Sequence, residues 1–101
     1  MKELRELRLA VDQLHNCKAS HLRSEPVLDT LQGKTVWKGV VEVFELSGHP
    51  QAKLCYAWKH WEDDEGECVR IVTVLGIAPV DSPLTAVRVA IIGDSKRNQA
   101  N

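Results

Sequence analysis

Thr35-Val36-Trp37-Lys38-Gly39-Val40-Val41-Glu42-Val43-Phe44-Glu45-Leu46 is the stretch that decides the fold, because its Val, Trp and Phe content reads as a β-strand with no helical period. Alternation puts Val36, Val40, Phe44 and Leu46 on one face and Trp37, Val41 and Val43 on the other, so both faces are apolar. Downstream, Ser47-Gly48-His49-Pro50 is a turn, and a further strand runs from Ala52 to about Trp61. The segment Glu62-Asp63-Asp64-Glu65-Gly66-Glu67 makes a hairpin loop, and Cys68 to Ile77 is the last strand, with Val69, Ile71, Thr73, Leu75 and Ile77 on one face and Arg70, Val72 and Val74 on the other. Short turns between neighbouring strands imply an antiparallel meander. Upstream, Gly33-Lys34 turns the chain out of Lys18 to Leu31, a weaker strand that Pro26 confines to a sheet edge.

Helical patterns bracket the strands. Leu4, Leu7, Val11 and Leu14 recur at spacings of three and four, which predicts an amphipathic helix over 2–16. Leu9 falls about 160° from the middle of that stripe and is expected to be exposed in a monomer. Asp81 or Ser82 can cap a second helix from about Ser82 to Ile92, with Pro83 in its first turn, where a missing N–H does no harm. Gly93 reads as a stop, followed by a frayed tail from about residue 94. The expected fold is therefore one α+β domain over 1–101: a four-stranded antiparallel sheet with the N-terminal and C-terminal helices packed on one face. Two short helices on one face leave apolar groups on the other. The second helix is itself apolar nearly all round, with Ala86, Val89 and Ile92 at roughly 200°, 140° and 80° around the axis from Leu84. Both features point to a homodimer or higher homo-oligomer that buries Val89, Ile92 and Leu9.

The chain has 101 residues, 44% hydrophobic and 27% charged, with a formal net charge of -1. This balance lacks the basic footprint of a nucleic-acid binder. No apolar run approaches the ~20 residues of a membrane span, and the charged start Met1-Lys2-Glu3-Leu4-Arg5-Glu6 is unlike a secretory signal, so a cytoplasmic location is expected. Cys17, Cys55 and Cys68 are odd in number and form no C-x-x-C pair, as reduced thiols would. Neither they nor the four histidines show zinc-ligand spacing, the acidic loop lacks the alternation of a calcium loop, and no nucleotide or nucleophile-elbow motif occurs. No catalytic residue, metal or cofactor is assigned. Parity places Cys55 and His60 on opposite faces, against a Cys–His pair, and acid–base work by Glu42 with His60 or His49 is only a weak candidate.

All five Phe, Trp and Tyr residues, Trp37, Phe44, Tyr56, Trp58 and Trp61, lie on the two central strand segments. Core packing and a subunit interface are the first reading of this cluster. A small-molecule pocket bordered by Tyr56, Trp58 and His60, which share one strand parity, is the second, with His49 of the turn as a further candidate contact. A stacking platform for single-stranded nucleic acid is the weakest, because the lysines interleave poorly with the rings and the acidic loop opposes it.

The stretch Thr35 to Phe44, then Gly48-His49-Pro50, Cys55-Tyr56-Ala57-Trp58, Val80-Asp81-Ser82-Pro83 and Ala86-Val87-Arg88, resembles a group of uncharacterised short bacterial proteins of the kind carried in integron gene cassettes and other mobile elements. The resemblance spans about residues 35 to 92 and implies an accessory, cytoplasmic bacterial protein, with no activity and no functional residues attached. The function expected is a non-enzymatic, homo-oligomeric binding or interaction module. The alternatives are a small-molecule-binding protein or minor enzyme using the Tyr56, Trp58 and His60 region, and a nucleic-acid-associated accessory protein.

Overall fold

A computed structural model describes the backbone of residues 2–61 and 69–99 and the side chains of residues 4–60 and 70–91. The elements follow in the order α1 (Lys2–His15), β1 (Lys18–Leu31), β2 (Lys34–Ser47), β3 (Leu54–Trp61), β4 (Val69–Leu75) and α2 (Pro83–Gln99). The four strands form one antiparallel sheet in the order β1-β2-β3-β4, the expected meander with β1 at an edge. The acidic segment Glu62 to Glu67, Cys68, and the side chains of Trp61 and Ile92 lie outside the described residues.

Helix α1 ends where Asn16 enters the left-handed region at φ 50° and the Cys17 N–H reaches back to the Asp12 carbonyl at 3.3 Å. That bond spans the last turn as in a Schellman cap, with Asn tolerating the backbone better than a branched residue. Ser82 caps α2: its hydroxyl accepts the Thr85 N–H at 3.2 Å, and its carbonyl accepts the Ala86 N–H at 3.0 Å. The helix does not stop at Gly93 but continues to Gln99. A glycine inside a helix costs only about 1 kcal/mol and no proline follows it, so a single glycine does not terminate the run.

The helices do not share a face, contrary to the expectation that both pack on one side. Leu7 and Val11 of α1 pack with Ala19, Phe44, Leu46, Cys55 and Ala57. On the other side, Ala86 and Val87 of α2 pack with Val41, Val43, Tyr56 and Trp58. Parity on β3 separates the two sets, Cys55 and Ala57 facing α1 and Tyr56 and Trp58 facing α2. The cause is the two-faced apolarity of the sheet: β2 and β3 carry buried aliphatics or aromatics on each face, β4 adds half-buried Ile71 and Leu75 on one side and Val72 and Val74 on the other, and each face receives one helix.

The strands are unequal. β1 and β2 have 14 residues each, while β3 and β4 have 8 and 7. β2 pairs with β3 only from Glu42 opposite Ala57 to Glu45 opposite Leu54, so the far half of the β1–β2 hairpin extends past the core as a two-stranded ribbon. Its tip is the two-residue turn Gln32-Gly33, with Leu31 opposite Lys34, one residue earlier than the sequence pattern placed it. Both turn residues have positive φ, 53° and 80°, as a type I′ hairpin requires. Gly33 adopts this freely, whereas Gln32 has a Cβ to accommodate. Replacing Gln32 with Asn should therefore stabilise the fold by about 0.5 to 1 kcal/mol, read as a rise of roughly 2 to 8 °C in Tm by circular dichroism. An unchanged or lower Tm would mean that the Gln32 side chain compensates for its own backbone.

Candidate functional site

Tyr56, Trp58 and His60 project from the α2 face of β3, and the structure brings two of them to one slot. Trp37, Trp58, His60, Arg70 and Val72 line it from the sheet, and Ile91 is among the residues of α2 that close it. Trp37 and Trp58 meet edge to face, their ring centroids 5.7 Å apart at 69°. Trp37 also lies over Gly39, where an added Cβ would stand 2.8 Å from the ring, so glycine at this strand position is what lets the indole lie flat across the ribbon. The slot has a volume of about 40 Å³. That admits a water molecule, well short of the roughly 300 Å³ at which organic-ligand pockets begin. Tyr56 is buried in the core beside the slot and does not line it, and its hydroxyl pKa is raised by burial.

His49 is elsewhere. Its Nδ1 accepts the N–H groups of Gln51 (3.1 Å) and Ala52 (2.9 Å), so the ring organises its own turn. The ring also stands edge-on to His15, with centroids 6.4 Å apart, and His15 Nε2 lies 3.1 Å from the Thr73 hydroxyl. Burial, and secondarily His49, lowers the His15 pKa. Among the described residues no group of three His, Cys, Asp or Glu is placed to hold a metal ion.

Glu42 does not meet His60 or His49. It lies on the other face of the sheet from His60, accepts a hydrogen bond from the Ser24 hydroxyl, and pairs with His21 Nε2 at 2.8 Å. Both partners reach the same carboxylate oxygen, with the acid in the middle. A nucleophilic triad needs the histidine between serine and acid, so this arrangement ties β1 to β2 without activating Ser24. Sequence alternation alone puts His21 and Ser24 on opposite faces. The register shift between His21 and Arg23 adds the residue that brings them together.

A second unforeseen pair joins β1 to α2. Asp29 is the one buried charged residue among those described, at 7% exposure, and Arg88 approaches it with Nη2 3.2 Å from Oδ1 and Nε 3.4 Å from both oxygens. The partners are 59 positions apart, and neither carries a motif.

The chain matches no protein-family model, no curated protein and no solved structure. Among the described residues no helix is long and apolar enough to cross a membrane.

Two of the shifted groups make the stability of the fold depend on pH. The thiol of Cys55, fully buried under α1, is pushed up from 9.0 to about 12, chiefly by burial. The unfolded chain gives up that proton near pH 9 while the native chain retains it, so this stabilisation is lost as pH rises from about 9 to about 12. His15 works in the opposite sense: its lowered pKa means that the unfolded chain takes up a proton first, and stability falls as the pH drops below 6.5. Urea denaturation across pH should show both declines, and His15→Gln should flatten the acidic one while leaving the alkaline one. Peptide mapping after brief iodoacetamide treatment at pH 8 should find Cys55 unmodified until the chain unfolds. Rapid native labelling of Cys55 would contradict its burial.

Proposed function

We propose that the chain is a non-enzymatic interaction module that acts as a homo-oligomer, and that the uncovered ribbon of β1 and β2 is its contact surface. The observation that carries this reading is the placement of exposed aliphatics. Of the nine large exposed hydrophobics among the described residues, Leu22, Leu28, Leu31, Val36 and Val40 lie on β1 and β2. Leu28, 58% exposed, and Val40, 51% exposed, sit with Pro26 on the face that α1 covers only at its other end, where Ala19, Phe44 and Leu46 are buried. Leu9 and Val89, the positions expected from the helical wheels, are also exposed, at 45% and 41%, but neither is part of a patch: the other exposed aliphatic of α1, Leu14, lies about 140° around the helix from Leu9.

The occupant that fits this face is a second copy. Lys38 and Glu42 flank Val40 two residues away on the same side of β2, so a two-fold axis passing at Val40 sets Lys38 of one copy against Glu42 of the other. Apolar contact between copies of Leu28 and Val40 contributes about 1.5 to 3 kcal/mol per side chain fully buried, which offsets part of the association cost. Pairing edge to edge through β1 is disfavoured, because Pro26 has no N–H to donate and the irregularity after His21 twists the edge. An accessory role in a bacterial cytoplasm rests on the resemblance of residues 35 to 92 alone.

Light scattering coupled to size exclusion tests the reading. At micromolar concentration the wild type should elute near twice or more the monomer mass of 11.3 kDa. Val40→Glu, exposed and so tolerated by the fold, should elute as a monomer with an unchanged circular dichroism spectrum, and Val89→Glu should remain assembled. A wild-type monomer would remove the proposal. Dissociation by Val89→Glu but not by Val40→Glu would move the interface to α2.

A further inference from the structure

On the opposite face of the same ribbon, a cleft of about 280 Å³ opens between the hairpin tip and α2, lined by Asp29, Thr30, Leu31, Val36, Arg88 and Ile91. Alternation alone would put Val36 in the row of Val40, but the register shift between Asp29 and Thr30 leaves it without a partner on β1 and takes it out of that row. We propose that this cleft binds an apolar α-amino acid in its zwitterionic form, with its carboxylate on Arg88, its ammonium on Asp29 and its side chain against Leu31, Val36 and Ile91.

The chemistry of the pair sets the head group. A buried carboxylate is tolerated only when it is paired and hydrogen-bonded, and Asp29 has Arg88 as its partner. The contacts, 3.2 to 3.4 Å, are longer than the 2.7–2.9 Å of a closed charge-assisted bond. They use Nε and Nη2 of a guanidinium that is 57% exposed, and both the guanidinium and the carboxylate have more donor and acceptor sites than these contacts occupy. The pair is neutral as a unit. A simple anion drawn to Arg88 meets Asp29, and a simple cation drawn to Asp29 meets Arg88. A ligand with both charges, laid antiparallel to the pair, satisfies both, and the planar guanidinium suits a carboxylate.

The walls set the rest. Leu31 is the most exposed large hydrophobic among the described residues, at 67%, and Val36 faces it across the tip of the hairpin. An aliphatic or aromatic ligand side chain would cover both together with Ile91. The volume lies near the lower end of organic-ligand pockets and suits a molecule of about ten heavy atoms. This site needs no second copy, since Asp29 faces away from the Leu28 and Val40 surface and the cleft is complete within one chain.

The test uses the whole chain, with L-leucine and L-phenylalanine as probes, by isothermal titration calorimetry and by amide chemical shifts. Saturable binding should be seen for one or both, with shifts concentrated at residues 29–36 and 88–91. Glycine, isovalerate and isopentylamine, which lack in turn the side chain, the ammonium and the carboxylate, should each bind at least tenfold more weakly. Arg88→Gln should abolish binding; because it also strips Asp29 of its partner, Val36→Asp supplies a control at an exposed position where the fold is untouched, and it too should weaken binding at least tenfold. No binding of either amino acid to the folded wild type would overturn the proposal. So would isovalerate or isopentylamine binding as tightly as leucine, or amino-acid binding that survives both substitutions.

Discussion

Everything in this molecule depends on a sheet that is apolar on both faces. Val43 and Phe44, neighbours on β2, are both fully buried, as are Cys55 and Ala57 against one helix, and Tyr56 and Trp58 are nearly so against the other. An antiparallel sheet with one wet face would show polar residues at every second position. Here a single helix would leave half the aliphatics in water, so the chain has to place α1 and α2 on opposite sides, and the result is three layers built from 101 residues. Burial of Leu7 and Val11 on one side and of Ala86 and Val87 on the other completes two small cores separated by one thickness of sheet.

The second constraint is a mismatch in length. β3 and β4 are half as long as β1 and β2; α1 packs on the part of the sheet that all four strands share, whereas α2 reaches over the ribbon at Val27, Trp37 and Val41. The overhanging ribbon is thus covered on one side only and is held by further contacts. Trp37 reaches back to Trp58, the Asp29–Arg88 pair ties the edge strand to α2, and the contacts of Glu42 with His21 and Ser24 lock β1 to β2 where the ribbon leaves the core. None of these contacts hides the outward aliphatics of the ribbon, which is why Leu28, Leu31 and Val40 are more exposed than Val89 of α2.

Strand number, order and the edge position of β1 were legible because period-two alternation and turn residues are local signals, and Pro26 excludes a central strand. The side on which each helix lies was not. Alternation says which residues share a face and nothing about which face a flanking helix takes, although the leftover apolar face, read as an argument for oligomerisation, is in fact the seat of α2. The α1 stripe was legible at Leu7 and Val11 and misleading at Leu14, which projects beyond the covered core at the last turn. Of the aromatic region, Trp58 and His60 do border one slot, but the packing of Trp37 across Gly39 leaves it too small for an organic molecule. Asp29 with Arg88, and His21 with Glu42, were beyond reach: one pair needs the tertiary approach of residues 59 positions apart, the other a strand irregularity that reverses parity.

The ribbon presents two different surfaces: alternation separates Leu28 and Val40 from Asp29 and Leu31, and the register shift between Asp29 and Thr30 takes Val36 out of Val40's row. Pro26, Leu28 and Val40 stand on the α1 side and offer area without a buried charge, which suits contact with another flat apolar face. Asp29, with Arg88 and the hairpin tip, stands on the α2 side and offers a concave surface with a desolvated carboxylate, which suits a small polar head on an apolar body. A second copy seated on the first surface does not close the second, so self-association and ligand binding need not compete. Coupling between them would have to pass through the strands themselves: a ligand laid against the Asp29–Arg88 pair bears on what holds β1 against α2, and Leu28 is the next residue along that same strand.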